Sequence, residues 1–109
     1  MEIIFWQNNN GESPVETYIK DLDIKTQKKI LWTLEIVEKF GARVGNNYFE
    51  KLKGFNLYEI KVNFNKKWHR MLCRVKENKC YLLHGFSKKS NKTPNREIGT
   101  ALNRAKLIS

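Results

Sequence analysis

The sequence predicts a small α+β domain in the order β-α-α-β-β-β-α. Two N-terminal helices lie on one face of a mainly antiparallel sheet, and a short helix closes the chain. Three observations predict this. Apolar residues recur at helical spacing between residues 24 and 40, at a period of two from Leu57, and at helical spacing again after Pro94. Two-residue turn signals separate the last three strands. The length of 109 residues suits one core and not two, so residues 1–109 are a single domain.

Residues 2–7 form a β-branched and aromatic run, a first strand ended by Asn8-Asn9-Asn10-Gly11. Ser13-Pro14-Val15-Glu16 is a helix start: Ser13 caps, Pro14 suits the first helical position, and Glu16 can return to the Ser13 amide. That helix is brief, because Asp21-Leu22-Asp23 offers a second cap. A longer helix runs from Ile24 to Phe40 with Gly41 as terminator. Its two stripes, Ile30-Leu34-Val37 and Trp32-Ile36-Phe40, nearly merge, which predicts a well-buried helix with Trp32 in the core rather than on a base-stacking platform. Tyr58, Ile60, Val62 and Phe64 alternate with Glu59, Lys61 and Asn63 as a half-buried strand. Trp68–Val75 and Cys80–Phe86 supply two more, joined by hairpins at Asn65-Lys66 and Glu77-Asn78. The last helix takes Thr93 as cap and Pro94 as first residue, with Ile98, Ala101, Leu102 and Ala105 as its apolar stripe.

The formal charge of +10 is unevenly spread. Residues 1–50 carry 6 Lys/Arg against 8 Asp/Glu, a net of −2, whereas residues 51–109 carry 15 against 3, a net of +12. That field predicts a polyanionic partner: RNA, DNA or an acidic protein. No apolar run is long enough to span a bilayer, and the amino end lacks the pattern of a signal peptide, so a cytoplasmic protein is expected. Cys73 and Cys80 match no zinc spacing and read as reduced, buried small hydrophobes. No metal or other cofactor is implied.

A two-residue turn at Asn65-Lys66 would set Val62 opposite His69, Lys61 opposite Arg70, and Ile60 opposite Met71. One face then carries Tyr58, Ile60, Val62, His69, Met71 and Cys73 toward the core. The other carries Glu59, Lys61, Asn63, Trp68, Arg70 and Arg74. Two like charges directly across a ladder are unfavourable. Lys61 and Arg70 are therefore either a solvated pair, relieved by Glu59, or half of an anion site. The same count across Glu77-Asn78 puts Gly85 opposite Arg70 and Leu83 opposite Leu72, leaving room beside Arg70 for a backbone to approach. His84 then points to the core side near Met71, unless a longer turn flips it onto the cationic face. His69, set among Val62 and Phe86, reads as structural.

Beyond that strand lies the run Leu82-Leu83-His84-Gly85-Phe86-Ser87-Lys88-Lys89-Ser90-Asn91-Lys92-Thr93-Pro94-Asn95-Arg96-Glu97. Lys88, Lys89 and Lys92 gather where a strand, a loop and a helix amino end meet, a place suited to phosphate, with Trp68 or Phe86 within reach. The run resembles RelE/HigB-type toxins of bacterial toxin–antitoxin pairs, in particular their phage-associated HigB-like branch. That branch ends a strand in His-Gly-Phe, follows with Lys-Lys and Lys-Thr-Pro, and closes with a short helix bearing Glu, Ala and Arg, here Glu97, Ala101 and Arg104. Leu57-Tyr58-Glu59-Ile60-Lys61-Val62 and His69-Arg70-Met71-Leu72 resemble two further strands of the RelE/ParE superfamily, whose element order is also the one predicted above.

The resemblance implies a toxin that enters the ribosome and cuts messenger RNA without a metal. The 2′-hydroxyl attacks the adjacent phosphate and leaves a cyclic phosphate, which calls for cations on the developing charge and for a base and an acid. Arg70 is the candidate for phosphate stabilisation, and Lys61 for holding the phosphate or acting as base. His84 is a candidate proton carrier. Lys88, Lys89, Lys92 and Arg74 would bind RNA or the ribosome, and Trp68 or Phe86 could stack a base. Better-characterised relatives place a tyrosine or histidine near the carboxyl end; after Pro94 this chain has neither, and no Asp. The implied partners are the ribosome, messenger RNA and a cognate, HigA-like antitoxin with a helix-turn-helix domain; no membrane is implied. A ParE-like gyrase-binding toxin and a non-catalytic basic RNA-binding module are the alternatives.

Overall fold

The structure, a computed structural model, describes residues 1–89 and 92–108. Ser90 and Asn91 of the lysine-rich loop lie outside the described residues. The elements are β1 (Glu2–Phe5), α1 (Pro14–Lys20), α2 (Ile24–Phe40), a 3-10 turn (Gly41–Val44), β2 (Phe49–Lys51), β3 (Tyr58–Phe64), β4 (Lys67–Lys76), β5 (Lys79–Lys88) and α3 (Asn95–Ala105). The strands form one sheet in the order β1-β5-β4-β3-β2. Among the described residues only β1 pairs in parallel, with β5; the other three pairings are antiparallel. No helix among the described residues is long and apolar enough to cross a membrane.

Local chemistry accounts for most boundaries. The Ser13 hydroxyl accepts the Glu16 amide at 3.2 Å, and Asp23 accepts that of Thr26 at 3.2 Å, so each N-terminal helix starts on a side-chain cap. The long helix stops at Gly41, whose φ of 57° suits a residue with no Cβ. Both hairpins use two left-handed residues, Asn65 and Lys66, then Glu77 and Asn78, the geometry whose twist matches that of the strands it joins.

The sheet is covered on both faces. On one, Val15 and Ile19 of α1 and Ile30, Leu34 and Val37 of α2 pack on Ile60, Val62, Met71, Cys73, Cys80 and Leu82. On the other, Ile98, Ala101 and Ala105 of α3 pack on Leu57, Leu72, Leu83 and Phe86. Cys73 and Cys80 are free and buried, and burial pushes the Cys73 thiol up.

Four expectations are corrected. A fifth strand, β2, lies outside β3 at the sheet edge; its three residues are too few to show a period, and Phe49 secures it by stacking on Tyr58 at 5.0 Å between ring centres. Trp32 is 52 % exposed: only the Ile30-Leu34-Val37 stripe of α2 faces the sheet, because a helix lying on a sheet turns one side toward it. Thr93 does not cap α3; Pro94 occupies that position, and its carbonyl accepts the Glu97 and Ile98 amides.

The fourth correction concerns register. The β3–β4 ladder is as counted, with Lys61 opposite Arg70. The β4–β5 ladder slips by one residue between Leu72 and Cys73, so Leu72 faces His84, Met71 faces Gly85, and Arg70 faces Phe86. Leu83 is the extra residue of a β-bulge. Arg104 donates to the Leu83 carbonyl at 2.8 Å, anchoring the bulge from α3. Gly85 therefore does not lie beside Arg70. It faces the other side, where a Cβ would fall 2.8 Å from Cδ2 of Tyr18, so the missing side chain makes room for that ring.

Candidate functional site

The alternation of β3 and the untroubled β3–β4 register place Glu59, Lys61 and Arg70 on the α3 side of the sheet. The edge strand adds Glu50, directly opposite Glu59. Two carboxylates so placed repel, and each is answered by a cation of the next rung. Lys61 Nζ donates to Glu50 at 3.0 Å, and Arg70 Nη1 donates to Glu59 at 2.6 Å. Arg70 and Glu59 are 1 % and 2 % exposed, so this is a buried ion pair. The Thr93 hydroxyl donates to the other Glu59 oxygen and accepts from Arg70 Nη1 at 3.3 Å. Thr93 thus ties the entry of α3 to the pair.

These side chains line a polar cavity of about 310 Å³, to which Leu52, Phe55 and Ile98 contribute the apolar lining. Among the described residues its walls carry the cations Lys53, Lys61, Arg70 and Lys92 against the carboxylates Glu50 and Glu59. Lys53 and Lys92 are exposed, whereas the Lys61 side chain is 12 % exposed and points into the hollow. The cavity can take an anion at Lys53 and Lys92, and at Lys61 where the anion replaces Glu50, with Arg70 held on Glu59 beneath. No three His, Cys, Asp or Glu side chains among the described residues cluster as metal ligands.

The other candidates divide sharply. Trp68 is half-buried, its ring centre 5.4 Å from the Arg70 guanidinium carbon, and it is opposite Lys88 at the end of β5. Lys89 is exposed just beyond. Phe86 is not a free stacking surface: it belongs to the core under α3 and stacks on His84 at 5.6 Å. Arg74 reaches the far end of α3 and donates to the Ala105 carbonyl at 3.1 Å, where a cation suits the helix's last turn.

His84 is on the α3 side, as the flipped alternative required, but the bulge and not a longer turn puts it there. It does not line the cavity. Arg104 Nη1 lies 3.2 Å from its Nδ1 and Glu97 Oε1 lies 3.2 Å from its Nε2. Since Arg only donates, Nδ1 is the accepting nitrogen and Nε2 carries the proton toward Glu97. Burial lowers the pKa of Arg104, whose guanidinium also sits over the Trp6 ring. His69 is buried on the opposite face; it faces Val62 and Ser87 rather than Phe86, and its Nδ1 is hydrogen-bonded to the Tyr18 hydroxyl at 2.6 Å.

The count along the strands missed Glu50, Lys53 and the second function of Thr93, and it treated Glu59 as partial relief rather than a full partner. One signal was available. Glu59 is the only acidic residue between Lys51 and Lys76. It shares a face with Lys61 and lies diagonal to Arg70, so a buried Arg there had one anion to choose.

The signature residues His84, Gly85, Phe86, Glu97, Ala101 and Arg104 are accounted for by packing: a clasped imidazole, a gap for Tyr18, and the core under α3. No curated relative matches the chain. Residues 17–106, however, match the family model described as phage derived protein Gp49-like (DUF891). The chain therefore belongs to the Gp49-like family of phage-derived proteins, within the RelE/HigB-like toxins, and that membership implies an antitoxin as its partner.

Proposed function

We propose that this toxin is an endoribonuclease that cuts messenger RNA on the ribosome in the cytoplasm. A 2′-hydroxyl attacks the adjacent phosphate and the bond to the 5′-oxygen breaks. The products are a 2′,3′-cyclic phosphate and a 5′-hydroxyl, one proton leaving the 2′-oxygen as one is gained by the 5′-oxygen. The reaction builds negative charge on non-bridging oxygens, and preorganised cations are the largest contribution a protein can make to it. The observation that carries the reading is the Lys61–Arg70 rung, two cations side by side on one face and opening into one cavity with Lys53 and Lys92. Lys53 and Lys92 hold the phosphate, and Lys61 joins them by exchanging Glu50 for a phosphate oxygen. Arg70 supplies a fixed charge from below, oriented by Glu59 and Thr93. Lys88 and Lys89 guide the RNA backbone toward the cavity, and Trp68 is the aromatic left to stack a base. His84 is held by Glu97 and Arg104 away from the cavity walls, so it takes no proton in this reading. The antitoxin is a small helix-turn-helix protein of the HigA-like kind.

Primer extension on translating ribosomes tests this. Lys61→Met should leave the fold intact and lower cleavage by about 10²–10³-fold, the usual cost of losing one charge-stabilising group. Wild-type cleavage by that variant would remove Lys61 from the site. Arrest of DNA supercoiling with no messenger cut would replace the whole reading with a gyrase-binding one.

A further inference from the structure

The stripe of α2 that turns away from the sheet borders a second hollow. Trp32, Ile36 and Phe40 recur at four-residue spacing and, with Thr33, Val44 and Tyr48, wall an apolar groove of about 290 Å³. Trp32 is 52 %, Phe40 41 % and Tyr48 45 % exposed, and a contiguous patch of such rings marks a partner surface. The rim is basic. Lys29 Nζ lies 4.8 Å from the Trp32 ring centre, and Lys39 Nζ and Arg43 lie 5.5 and 5.8 Å from that of Phe40. Lys25 continues the Lys29 row one turn earlier, while Glu35 and Glu38 fall off that row, and Glu38 is committed to the Ile3 amide at 2.7 Å. Thr33 and Tyr48 also line the next hollow, whose walls include Trp68 and Lys61, so the groove runs on toward the cationic cavity.

We propose that this groove seats an amphipathic helix of the antitoxin, with apolar residues at i, i+3 or i+4, and i+7 entering between Trp32, Phe40 and Tyr48, and acidic residues along its flanks. An apolar floor with a cationic rim is complementary to that occupant. Only the partner's identity rests on the toxin reading; the chemistry of the occupant does not.

Calorimetry with the product of the reading frame beside this chain's own is the test. Trp32→Glu with Phe40→Glu should weaken binding at least about hundredfold, as hot-spot aromatics do. Lys29→Glu with Arg43→Glu should weaken it about tenfold and flatten its salt dependence. Trp32→Ala alone, about tenfold weaker, serves if the double variant fails to fold. Unchanged affinity in the aromatic variants overturns the docking surface and leaves the toxin reading standing. Absence of binding to the wild-type chain overturns the antitoxin reading and this inference with it. If light scattering finds the chain alone dimeric and the aromatic variant monomeric, a second copy fills the groove and the proposal fails.

Discussion

The two faces of the sheet bury different chemistry. Under α1 and α2 the contacts are almost wholly apolar, and the main polar event is the hydrogen bond between Tyr18 and His69. Under α3 an apolar patch around Leu72, Leu83 and Phe86 adjoins two charged assemblies, Glu59–Arg70–Thr93 and Glu97–His84–Arg104. The same alternating strands supply both faces, so hydrophobic patterning alone does not separate them. What separates them is cost. A buried ion pair adds little net stability but penalises loss of either partner, so the α3 face trades adhesive burial for fixed charge geometry beside the cavity. The first face holds the domain together, and the second orients.

That contrast can be broken in order of effect. Arg70→Ala should destabilise the domain by about 3–5 kcal/mol, because Glu59 is left buried and uncompensated. Replacing both partners, Glu59→Leu with Arg70→Met, should recover most of that loss without restoring cleavage. Urea titration of the two variants decides it, and equal midpoints for wild type and Arg70→Ala would refute a buried pair. Gly85→Ala probes the opposite face. Its Cβ would meet the Tyr18 ring, which the His69 bond pins, so a loss of about 1–3 kcal/mol is expected by thermal melting.

His84→Ala sharpens the distinction between holding and catalysing. Unpairing Glu97 and Arg104 should cost about 1–3 kcal/mol, yet cleavage per folded molecule should stay within about tenfold of wild type. A collapse of cleavage with an unchanged melt would return the imidazole to the chemistry.

The smallest effect is a pH dependence on the first face. Burial, and then the charge of Lys67, lower the His69 pKa from its ordinary 6.5, with Asp23 pulling the other way. The fold therefore holds the neutral ring, and the unfolded chain takes the proton first on acidification. Stability from this residue is complete above 6.5 and is lost as pH falls through the lower folded value. Melts at about pH 7.5 and pH 5 should show that acid loss in wild type, and a weaker one in His69→Gln.

Much of this was legible from residue order. Ser13, Asp23 and Gly41 punctuate the first two helices by chemistry that acts within one turn. Asn65-Lys66 set the Lys61–Arg70 rung because a two-residue hairpin leaves no freedom in the count. The errors lie where a distant group decided. The Leu83 bulge is anchored by Arg104, 21 residues away, and it moved Gly85 and His84 to opposite sides from those counted. Thr93 was drawn from a helix cap to Glu59, 34 residues away.

Local order of the chain therefore determined every element but the edge strand β2, the Asn65-Lys66 hairpin's register, the charge asymmetry and the family, since each depends on neighbours within a few positions or on composition. Tertiary structure alone decided which cations are spent on carboxylates and which remain at the rim, that Phe86 is core and Trp32 is not, and that the signature histidine is clasped rather than poised. The physical reason is that burial and ion pairing are properties of surfaces brought together from distant segments, and a one-residue slip in a ladder reverses which surface a side chain joins.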